Sequence, residues 1–300
     1  MNRLLVANAS SISKADITII GLPDDSKSDS YRTGAKNGPD ILRRVYNDSL
    51  YFDGDGPGKK IPIAPMSGII NKKIFDFGNV SRDDLYSSVF DICSLDKIPI
   101  ILGGDHSLTT IALRAIRDSL EKKVSLLYFD AHPDFLTSIR DFHGSVLSDS
   151  AGCVDFRRSM LIGTRAAEPE ELENINKNDL DFITPLEIME EGLPSIGNRM
   201  LLKCNPFSYV YLSVDLDCID SGIAPGVSVP SACGLMPMEL IFLIKKACSN
   251  LRIVGLDIVE LSPDYDLNNN TANIGARLLM EAIASISITK KSHESYENKQ

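Results

Sequence analysis

Short apolar runs recur along the whole chain, each bounded by turn residues or by residues that start helices, and this alternation restricts the fold more than any other feature. Strands buried on both faces form near-continuous apolar stretches, which is typical of parallel sheets. Eight runs fit this description: DITIIG from Asp16, IFDFG from Ile74, IPIILGG from Ile98, VSLLYFD from Val124, MLIGTR from Met160, DFITP from Asp181, YVYLSVDLD from Tyr209 and RIVGLDIVEL from Arg252.

Helical stretches separate these strands, for example SLTTIALRAIRDSLEKK from Ser107, MPMELIFLIKKACSN from Met236 and TANIGARLLMEAIASISI from Thr271. Ser81 followed by Asp84 predicts a capped helix start for SRDDLYSSVFDICSLD. Strand and helix alternate about eight times, so the pattern predicts an α/β fold with three layers, α/β/α, around a mostly parallel sheet of about eight strands.

No linker divides the chain, so we predict one domain over residues 1–300, although the length alone also permits two. The stretch from Tyr51 to Pro65 is rich in Gly, Pro and Asp, which indicates a surface excursion. Residues 289–300 are polar and are expected to form a frayed tail in which His293 faces solvent.

Composition narrows the classes of function. A net charge of −10 opposes general affinity for nucleic acid or anionic membranes, because both are polyanions. No apolar stretch approaches the roughly 20 residues that span a bilayer, and the start has no long apolar signal segment, so we expect a cytoplasmic protein. The six cysteines are scattered without a C-x-x-C pair and are expected to be reduced thiols.

Polar residues concentrate where the predicted strands end, which is where open α/β sheets bind ligands. They are Asp105, His106 and Ser107 after the third strand, Asp130, His132 and Asp134 after the fourth, Asp215, Asp217 and Asp220 after the seventh, and Asp257 and Glu260 after the eighth. The pairs Asp130/His132 and Asp215/Asp217 are each two residues apart, so each is expected to project to one side of its strand.

Four carboxylates in one crevice would repel one another and raise their pKa values, and divalent cations would remove that repulsion. We therefore predict a two-metal site with a water of pKa near 7. Imidazole and carboxylate ligands favour Mn²⁺ over a structural Zn²⁺, while Zn, Fe, Co and Ni stay open. A DxD alone is more often a cap or a loop. Three of the four histidines, His106, His132 and His143, nevertheless fall in the segment that holds Asp130 and Asp134.

Four blocks resemble, in order, the signature motifs of the ureohydrolase superfamily, the arginases and agmatinases: GGDHS at Gly103, DAHPD at Asp130, SVDLDCID at Ser213 and GLDIVEL at Gly255. Further matches are TGAKNGPDILR from Thr33, HGS from His143, IGTR from Ile162 and APG from Ala224. The chain is most similar to the agmatinase branch.

The resemblance implies two Mn²⁺ per subunit, one held by His106, Asp130, Asp134 and Asp215, the other by Asp130, His132, Asp215 and Asp217. It implies that Asp130 and Asp215 bridge the ions and that a bridging hydroxide attacks the guanidinium carbon, which places Asp130 among the catalytic residues. Glu260 resembles the carboxylate that pairs with the guanidinium, and His143 resembles the histidine that carries protons to the leaving amine.

Some residues depart from the family pattern without removing a ligand: Pro133, Ser221 and Val227-Ser228-Val229, which make the loop from Ser221 to Pro230 harder to predict. Arginases have an asparagine two residues after the last aspartate of DAHxD, and it holds the substrate's α-carboxylate. Leu136 stands there in this chain and cannot donate a hydrogen bond. We therefore expect a small cationic guanidino substrate, agmatine, converted to putrescine and urea in polyamine biosynthesis.

Other functions stay open. One is an arginase or a hydrolase of another guanidino compound such as guanidinobutyrate. Another is a two-metal hydrolase of formiminoglutamate or of a phosphoester, whose anionic group Arg165 or Arg140 would receive. The last is a catalytically silent metal-binding relative. Against the silent relative, all six ligand positions, His143 and Glu260 are present. By analogy with the family, we expect a homo-oligomer, either a trimer or a hexamer.

Overall fold

Ten strands appear in the computed structural model, which describes residues 3–52, 60–62, 71–205 and 207–288. In chain order they are β1 (Ile17–Gly21), β2 (Leu50–Phe52), β3 (Lys60–Pro62), β4 (Ile74–Asn79), β5 (Ile98–Leu102), β6 (Ser125–Phe129), β7 (Met160–Ile162), β8 (Asp181–Ile183), β9 (Tyr209–Asp215) and β10 (Arg252–Val259). Eight of them form one all-parallel sheet in the order β4-β1-β5-β10-β9-β6-β7-β8. All eight predicted strands are therefore confirmed.

Nine helices lie in the same described ranges, and they cover both faces of the sheet. They are α1 (Gly38–Asp48), α2 (Arg82–Ser94), α3 (Leu108–Leu120), α4 (Val146–Ser150), α5 (Pro169–Lys177), α6 (Pro185–Glu191), α7 (Leu193–Cys204), α8 (Pro237–Asn250) and α9 (Asn270–Ser285). The core of one face includes residues of α1 and α6 to α9, and that of the other includes residues of α2 to α5. This confirms the predicted three-layer α/β/α architecture.

Alternation along the strands divides the core between the two faces. Ile100 and Leu102 of β5 pack into one hydrophobic cluster, whereas Ile101 packs into the other. Every second side chain of a strand points to the same face, so a strand covered on both sides must be apolar throughout. The continuous apolar runs of the sequence have this origin.

Four central strands end at one level, and this places the polar segments that follow them side by side. Ile258 of β10 is in register with Leu102 of β5 and with Val214 of β9, and Val214 is in register with Phe129 of β6. β5 and β6 are consecutive strands of the sheet along the chain, but β10 and β9 lie between them in space. The order of the strands in the sheet therefore departs from their order in the chain at this point, and such a switch in strand order opens a crevice at the carboxyl ends of the strands.

Several smaller predictions can be compared with the structure. The Ser81 hydroxyl caps α2 by accepting a hydrogen bond from Asp84 N at 3.2 Å, as predicted. β2 and β3 form an antiparallel pair within the stretch predicted to be a surface excursion, while residues 53–59 and 63–65 lie outside the described residues. The predicted tail, 289–300 with His293, also lies outside them.

All six cysteines are described, and they are free thiols as predicted; five are buried, and Cys233 is exposed. Of the helices in the described ranges, none has the length and apolar character needed to cross a membrane.

A buried ion pair joins α1 to β4. The Arg43 guanidinium donates to both Asp76 oxygens, Nε to Oδ2 at 3.0 Å and Nη2 to Oδ1 at 3.1 Å. It also donates to Asn79 Oδ1 at 2.6 Å and to the Gly78 carbonyl at 3.2 Å. Both charged side chains are fully buried, so each depends on the other for compensation of its charge.

Replacing Arg43→Ala should lower the free energy of unfolding by about 3–5 kcal/mol, because it leaves the Asp76 carboxylate buried without a cation. Urea denaturation followed by circular dichroism measures the change. Arg44→Ala is the matched control, since Arg44 lies on the exposed side of the same helix and should cost less than about 0.5 kcal/mol. Equal losses for the two variants would contradict this account.

Candidate metal centre and substrate site

His106 lies at the centre of the first half of the site. It follows β5 directly before α3, and its side chain is almost fully buried. Its Nδ1 lies 3.0 Å from Asp130 Oδ2, 3.3 Å from Asp134 Oδ2 and 3.3 Å from Asp215 Oδ2. One imidazole nitrogen therefore faces carboxylates from two different strand ends.

His132 and Asp217 form the second half. His132 Nδ1 lies 3.0 Å from Asp217 Oδ2 and 3.6 Å from Asp130 Oδ1. Two groups of three residues each place one ligand atom per residue within 4.8 Å of the others: His106, Asp130 and Asp134, and Asp130, His132 and Asp217. Asp130 belongs to both groups. The structure thus brings together all six residues that the sequence singled out.

The predicted reason for this convergence was wrong in one respect. β6 ends at Phe129 and β9 ends at Asp215, so the alternation of side chains along a strand does not orient His132 or Asp217. Local hydrogen bonds do so instead. Asp130 Oδ1 accepts from His132 N at 2.7 Å, and Asp215 Oδ1 accepts from Asp217 N at 2.7 Å, which caps the short 3₁₀ turn Leu216–Cys218.

Burial makes these carboxylates difficult to ionise together. Desolvation, followed by the charges of Asp217 and Asp134, raises the pKa of Asp130 to about 6. Desolvation and the charges of Asp217 and Asp130 raise the pKa of Asp215 well above its ordinary value. Burial has the same tendency at Asp217, but the charge and hydrogen bond of His132, the hydrogen bond from Ala131 N and the charge of Arg165 together outweigh it and lower that pKa.

The pKa values of the two imidazoles are also raised, and for an imidazole a raised pKa favours the charged form. Although burial disfavours a charged His132, the charge of Asp217 and hydrogen bonds to Asp130 and Asp217 raise its pKa to about 12. Burial likewise disfavours a charged His106, yet its carboxylate neighbours raise its pKa well above the ordinary value. The pocket therefore stabilises positive charge at both histidine positions.

This set of donors fits divalent cations. The two groups offer only imidazole nitrogen and carboxylate oxygen. Asp130 Oδ2 is buried and has no hydrogen-bond partner of normal geometry among the described residues, although His106 Nδ1 lies 3.0 Å away. A buried acceptor without a donor is costly, and a cation between these atoms would remove that cost. The cluster is a candidate metal-binding site.

A buried chain of hydrogen bonds orients His106 from behind. Its Nε2 lies 2.8 Å from Ser213 Oγ, which donates to Asp257 Oδ1 at 2.6 Å. Asp257 Oδ2 accepts from Tyr211 and from Thr109, both at 2.7 Å. Because the Ser213 proton goes to Asp257, the serine oxygen accepts from Nε2, which leaves Nδ1 of a neutral ring free to bind a cation.

Tyr128 supports the same histidine from the side. Its ring stacks on His106 with a centroid distance of 4.6 Å and an interplanar angle of 4°. Its hydroxyl donates to Asp134 Oδ2 at 2.5 Å and lies 3.1 Å from His106 Nδ1. Sequence reasoning missed Tyr128 and Ser213, because a tyrosine and a serine within apolar strands look like ordinary core residues.

Glu260 follows β10 and has a left-handed backbone with φ 65°, an unusual conformation that re-aims its side chain. Its Oε1 accepts from His106 N at 2.8 Å. Ser228 lies close enough to favour the charged form of the Glu260 carboxyl group. Glu260 Oε2 nevertheless has no hydrogen-bond partner of normal geometry within the described ranges. Burial raises the pKa of Glu260 to about 7. One carboxylate oxygen is therefore left for a ligand.

His143 lies beside Glu260, with its Nδ1 4.0 Å from Glu260 Oε1. Its Nε2 lies 3.0 Å from Asp29 Oδ1, and its backbone N donates to the Lys27 carbonyl at 3.2 Å. Burial opposes protonation of the ring, but the charge of Glu260 and other neighbouring carboxylates raise the pKa of His143. Sequence reasoning missed Asp29, which belongs to no motif block.

Arg165, one of the two arginines considered for an anionic substrate group, is not placed for that role. Arg165 donates to the backbone carbonyls of residues 163, 217, 218, 219, 231 and 232 at 2.8–3.3 Å. Its guanidinium thus joins the turn of Asp217 to the loop that ends near Ala232. The Arg140 side chain is 88% exposed, and its Nε lies 3.8 Å from Asp141 Oδ2.

Comparisons with known proteins agree with this geometry. The model of the arginase family matches residues 15–285. The mitochondrial agmatinase of Gallus gallus is 32% identical over 283 residues, which cover 89% of this chain and 80% of that protein.

The chain belongs to the arginase family.

Two further relatives are similar over most of their length. The mitochondrial guanidino acid hydrolase of Homo sapiens is 29% identical, over 90% of this chain and 78% of its own. The structure of the agmatine ureohydrolase of Thermoplasma volcanium superposes with a TM-score of 0.79 at 30% identity, covering 95% of this chain and 94% of that one. The resemblance inferred from the motif blocks is confirmed: this arginase-family chain is a hydrolase of the ureohydrolase group.

In this arginase-family chain, Ser213→Ala should weaken divalent-cation binding about 10- to 100-fold, because His106 loses the partner that fixes its tautomer and orientation. Isothermal titration calorimetry with Mn²⁺ measures the affinity. Tyr211→Phe is the matched control: it removes one hydrogen bond to Asp257 but none in the Ser213 link to His106, so its effect should be several times smaller. Equal affinities for Ser213→Ala and the wild type would show that the link does not orient the histidine.

Proposed function

We propose that this chain is a binuclear manganese amidinohydrolase that converts agmatine and water to putrescine and urea. The observation that carries the proposal is the pair of potential ligand groups that share Asp130, next to a Glu260 oxygen without a hydrogen-bond partner among the described residues. Agmatinases of about 30% identity over most of the chain support the choice of substrate.

His106, Asp130 and Asp134 would hold one ion, and Asp130, His132 and Asp217 the other. Asp215, whose Oδ2 lies 3.3 Å from His106 Nδ1, would complete the set as a second shared carboxylate. A ligand set of imidazole and carboxylate suits Mn²⁺. When bound, a pair of such ions supplies a water molecule with a pKa low enough to act as a nucleophile at neutral pH.

Glu260 would bind the planar guanidinium of the substrate. Its Oε2 is buried and available, while Oε1 is fixed by the backbone N–H of His106. A carboxylate matches the parallel N–H groups of a guanidinium, and burial strengthens a charge-assisted pair of this kind. Because His106 belongs to the metal site, this hydrogen bond relates the position of the guanidinium to that of the ions.

His143 would donate a proton to the amine as the C–N bond breaks. The charge of Glu260 raises the pKa of this histidine against the effect of burial, so that the ring holds a proton more readily than an isolated imidazole. Its Nδ1 lies on the side of Glu260, where the guanidinium would bind. The amine leaves as a protonated, stable product.

The substrate's tail would pass Leu136. This residue lies next to the turn of His143, since its backbone N donates to the Gly144 carbonyl at 3.2 Å. A leucine side chain offers no hydrogen bond to an α-carboxylate, and Arg165 is engaged by backbone carbonyls. The apolar Leu136 and the occupied Arg165 thus favour agmatine over arginine, guanidinobutyrate and formiminoglutamate.

We also propose that the chain acts as one domain over residues 1–300, in the cytoplasm, and as a homo-oligomer of three or six subunits in polyamine biosynthesis. The family match over residues 15–285 supports a single unit. The acidic net charge of −10 is consistent with a small cationic substrate.

With added Mn²⁺, the wild-type chain should release urea from agmatine with a higher kcat/KM than from arginine, and Asp130→Asn should lower that release more than about 100-fold by removing a carboxylate common to both ions. Colorimetric urea assays and metal analysis of the purified proteins measure both effects. Asp179→Asn is the control, because its 78% exposed carboxylate precedes β8 at the opposite end of the sheet. If arginine were the better substrate, the role given to Leu136 would be wrong.

A further inference from the structure

Two carboxylates flank the imidazole of His143, one on each side of the ring. The inner one belongs to Glu260, whose side chain is 4% exposed, and the outer one belongs to Asp29, whose side chain is 79% exposed. His143 Nδ1 lies 4.0 Å from Glu260 Oε1, and Nε2 lies 3.0 Å from Asp29 Oδ1. A line from the buried carboxylate to the solvent therefore passes along one imidazole ring and ends at a second carboxylate.

Asp29 is held in place although it is exposed. Two residues before it, Lys27 N donates to Asp105 Oδ2 at 2.9 Å, and the Lys27 carbonyl accepts from His143 N at 3.2 Å. One residue after it, Ser30 Oγ donates to the Ser228 carbonyl at 2.7 Å. The backbone is therefore anchored on both sides of Asp29, to the segment of His106, to that of His143 and to the loop beside Glu260. Anchoring of this kind fixes the position of a charge at the rim of the site.

Arg32 and Arg82, two arginines of this region, interact with groups other than Asp29. Arg32 donates to the Pro225 carbonyl at 3.2 Å, and its guanidinium lies over the ring of Tyr265 at 5.0 Å. Arg82 pairs with Asp24 at 3.1 Å and with Asp105 at 3.4 Å. Neither guanidinium pairs with Asp29, whose 79% exposed carboxylate can be reached by a cation that arrives from solvent.

A substrate that fits this arrangement carries two positive charges at opposite ends of a short chain. One end is a guanidinium, for which Glu260 Oε2, without a hydrogen-bond partner among the described residues, is available at the buried end of the line. The other end is an ammonium, which a carboxylate at the rim would attract and a neutral or basic residue would not. A substrate whose tail ends in a carboxylate would be repelled at the same point.

We propose that Asp29 is a specificity-determining residue that binds the distal ammonium group of an aminoalkylguanidine substrate, an inference that rests on the proposed function. One carboxylate oxygen keeps its contact with His143, and the exposed part of the group receives the ammonium. Asp29 thus selects for a cationic tail, in addition to the selection against an α-carboxylate that Leu136 provides.

The test compares three guanidino substrates of similar length whose tails differ in charge: agmatine, which is cationic, butylguanidine, which is neutral, and guanidinobutyrate, which is anionic. Urea release by the full chain with Mn²⁺ gives kcat/KM for the wild type, Asp29→Asn and Asp29→Lys. The ratio of agmatine to butylguanidine should fall about fivefold in Asp29→Asn, the upper range for an exposed ion pair, and further in Asp29→Lys. The ratio of guanidinobutyrate to agmatine should rise in both variants.

The ratios separate recognition of the tail from an effect on His143. If Asp29 served only to position His143, the kcat/KM values of all three substrates would fall by one common factor, and the proposal would be overturned. Titration calorimetry with putrescine in the presence of Mn²⁺ gives a second readout without turnover, and Asp29→Asn should weaken putrescine binding more than it weakens butylamine binding. Asp179→Asn, at the opposite end of the sheet, should leave every ratio unchanged.

Failure of the proposed function has a different signature. A wild-type chain that contains the metal but releases no urea from any of the three compounds would overturn that function, and this inference with it. Hydrolysis of agmatine with ratios that do not respond to Asp29→Asn would overturn the inference about Asp29 alone.

Discussion

Mutual repulsion among buried carboxylates is the constraint on which the rest of this structure depends. Asp130, Asp215 and Asp217 come from two neighbouring strand ends and meet at two imidazoles in one hollow. Burial and neighbouring charge raise the pKa values of Asp130 and Asp215, so the protein alone compensates the cluster poorly. Bound cations would compensate the charge of these carboxylates, and the surrounding hydrogen bonds keep the ligand atoms in position for them.

The fold supplies this geometry through the register of four strands. β5, β10, β9 and β6 end at one level, so that Asp215, the last residue of β9, lies beside the segments of His106, Glu260 and Asp130, which follow the neighbouring strands. The hydrogen bond from His106 N to Glu260 Oε1 joins the candidate metal site to the proposed substrate site, and His143 connects Glu260 to Asp29 at the rim. The proposed positions of the cations, of the guanidinium and of the substrate's tail thus follow one line from the sheet to the solvent.

Sequence reasoning predicted the strands well because burial on both faces forces continuous apolar runs, as in Ile98–Leu102. It also singled out six residues that the structure brings together, since charged groups directly after such runs are costly without partners. It failed where local hydrogen bonds decide the orientation of a side chain. Asp215 and Asp217 do lie together, but a hydrogen bond in a 3₁₀ turn orients them, and the predicted alternation along a strand does not. It also missed Ser213 and Asp29, because a polar residue in an apolar strand and an acid in a surface loop carry no periodic signal.

Anomalous X-ray scattering at the manganese edge, recorded from crystals of the protein grown with Mn²⁺, tests the central claim most directly. We expect two peaks per chain about 3.5–4 Å apart, one beside His106 and Asp134 and the other beside His132 and Asp217, with Asp130 in contact with both. A single peak, two peaks that do not share Asp130, or no peak among these six side chains would contradict the account.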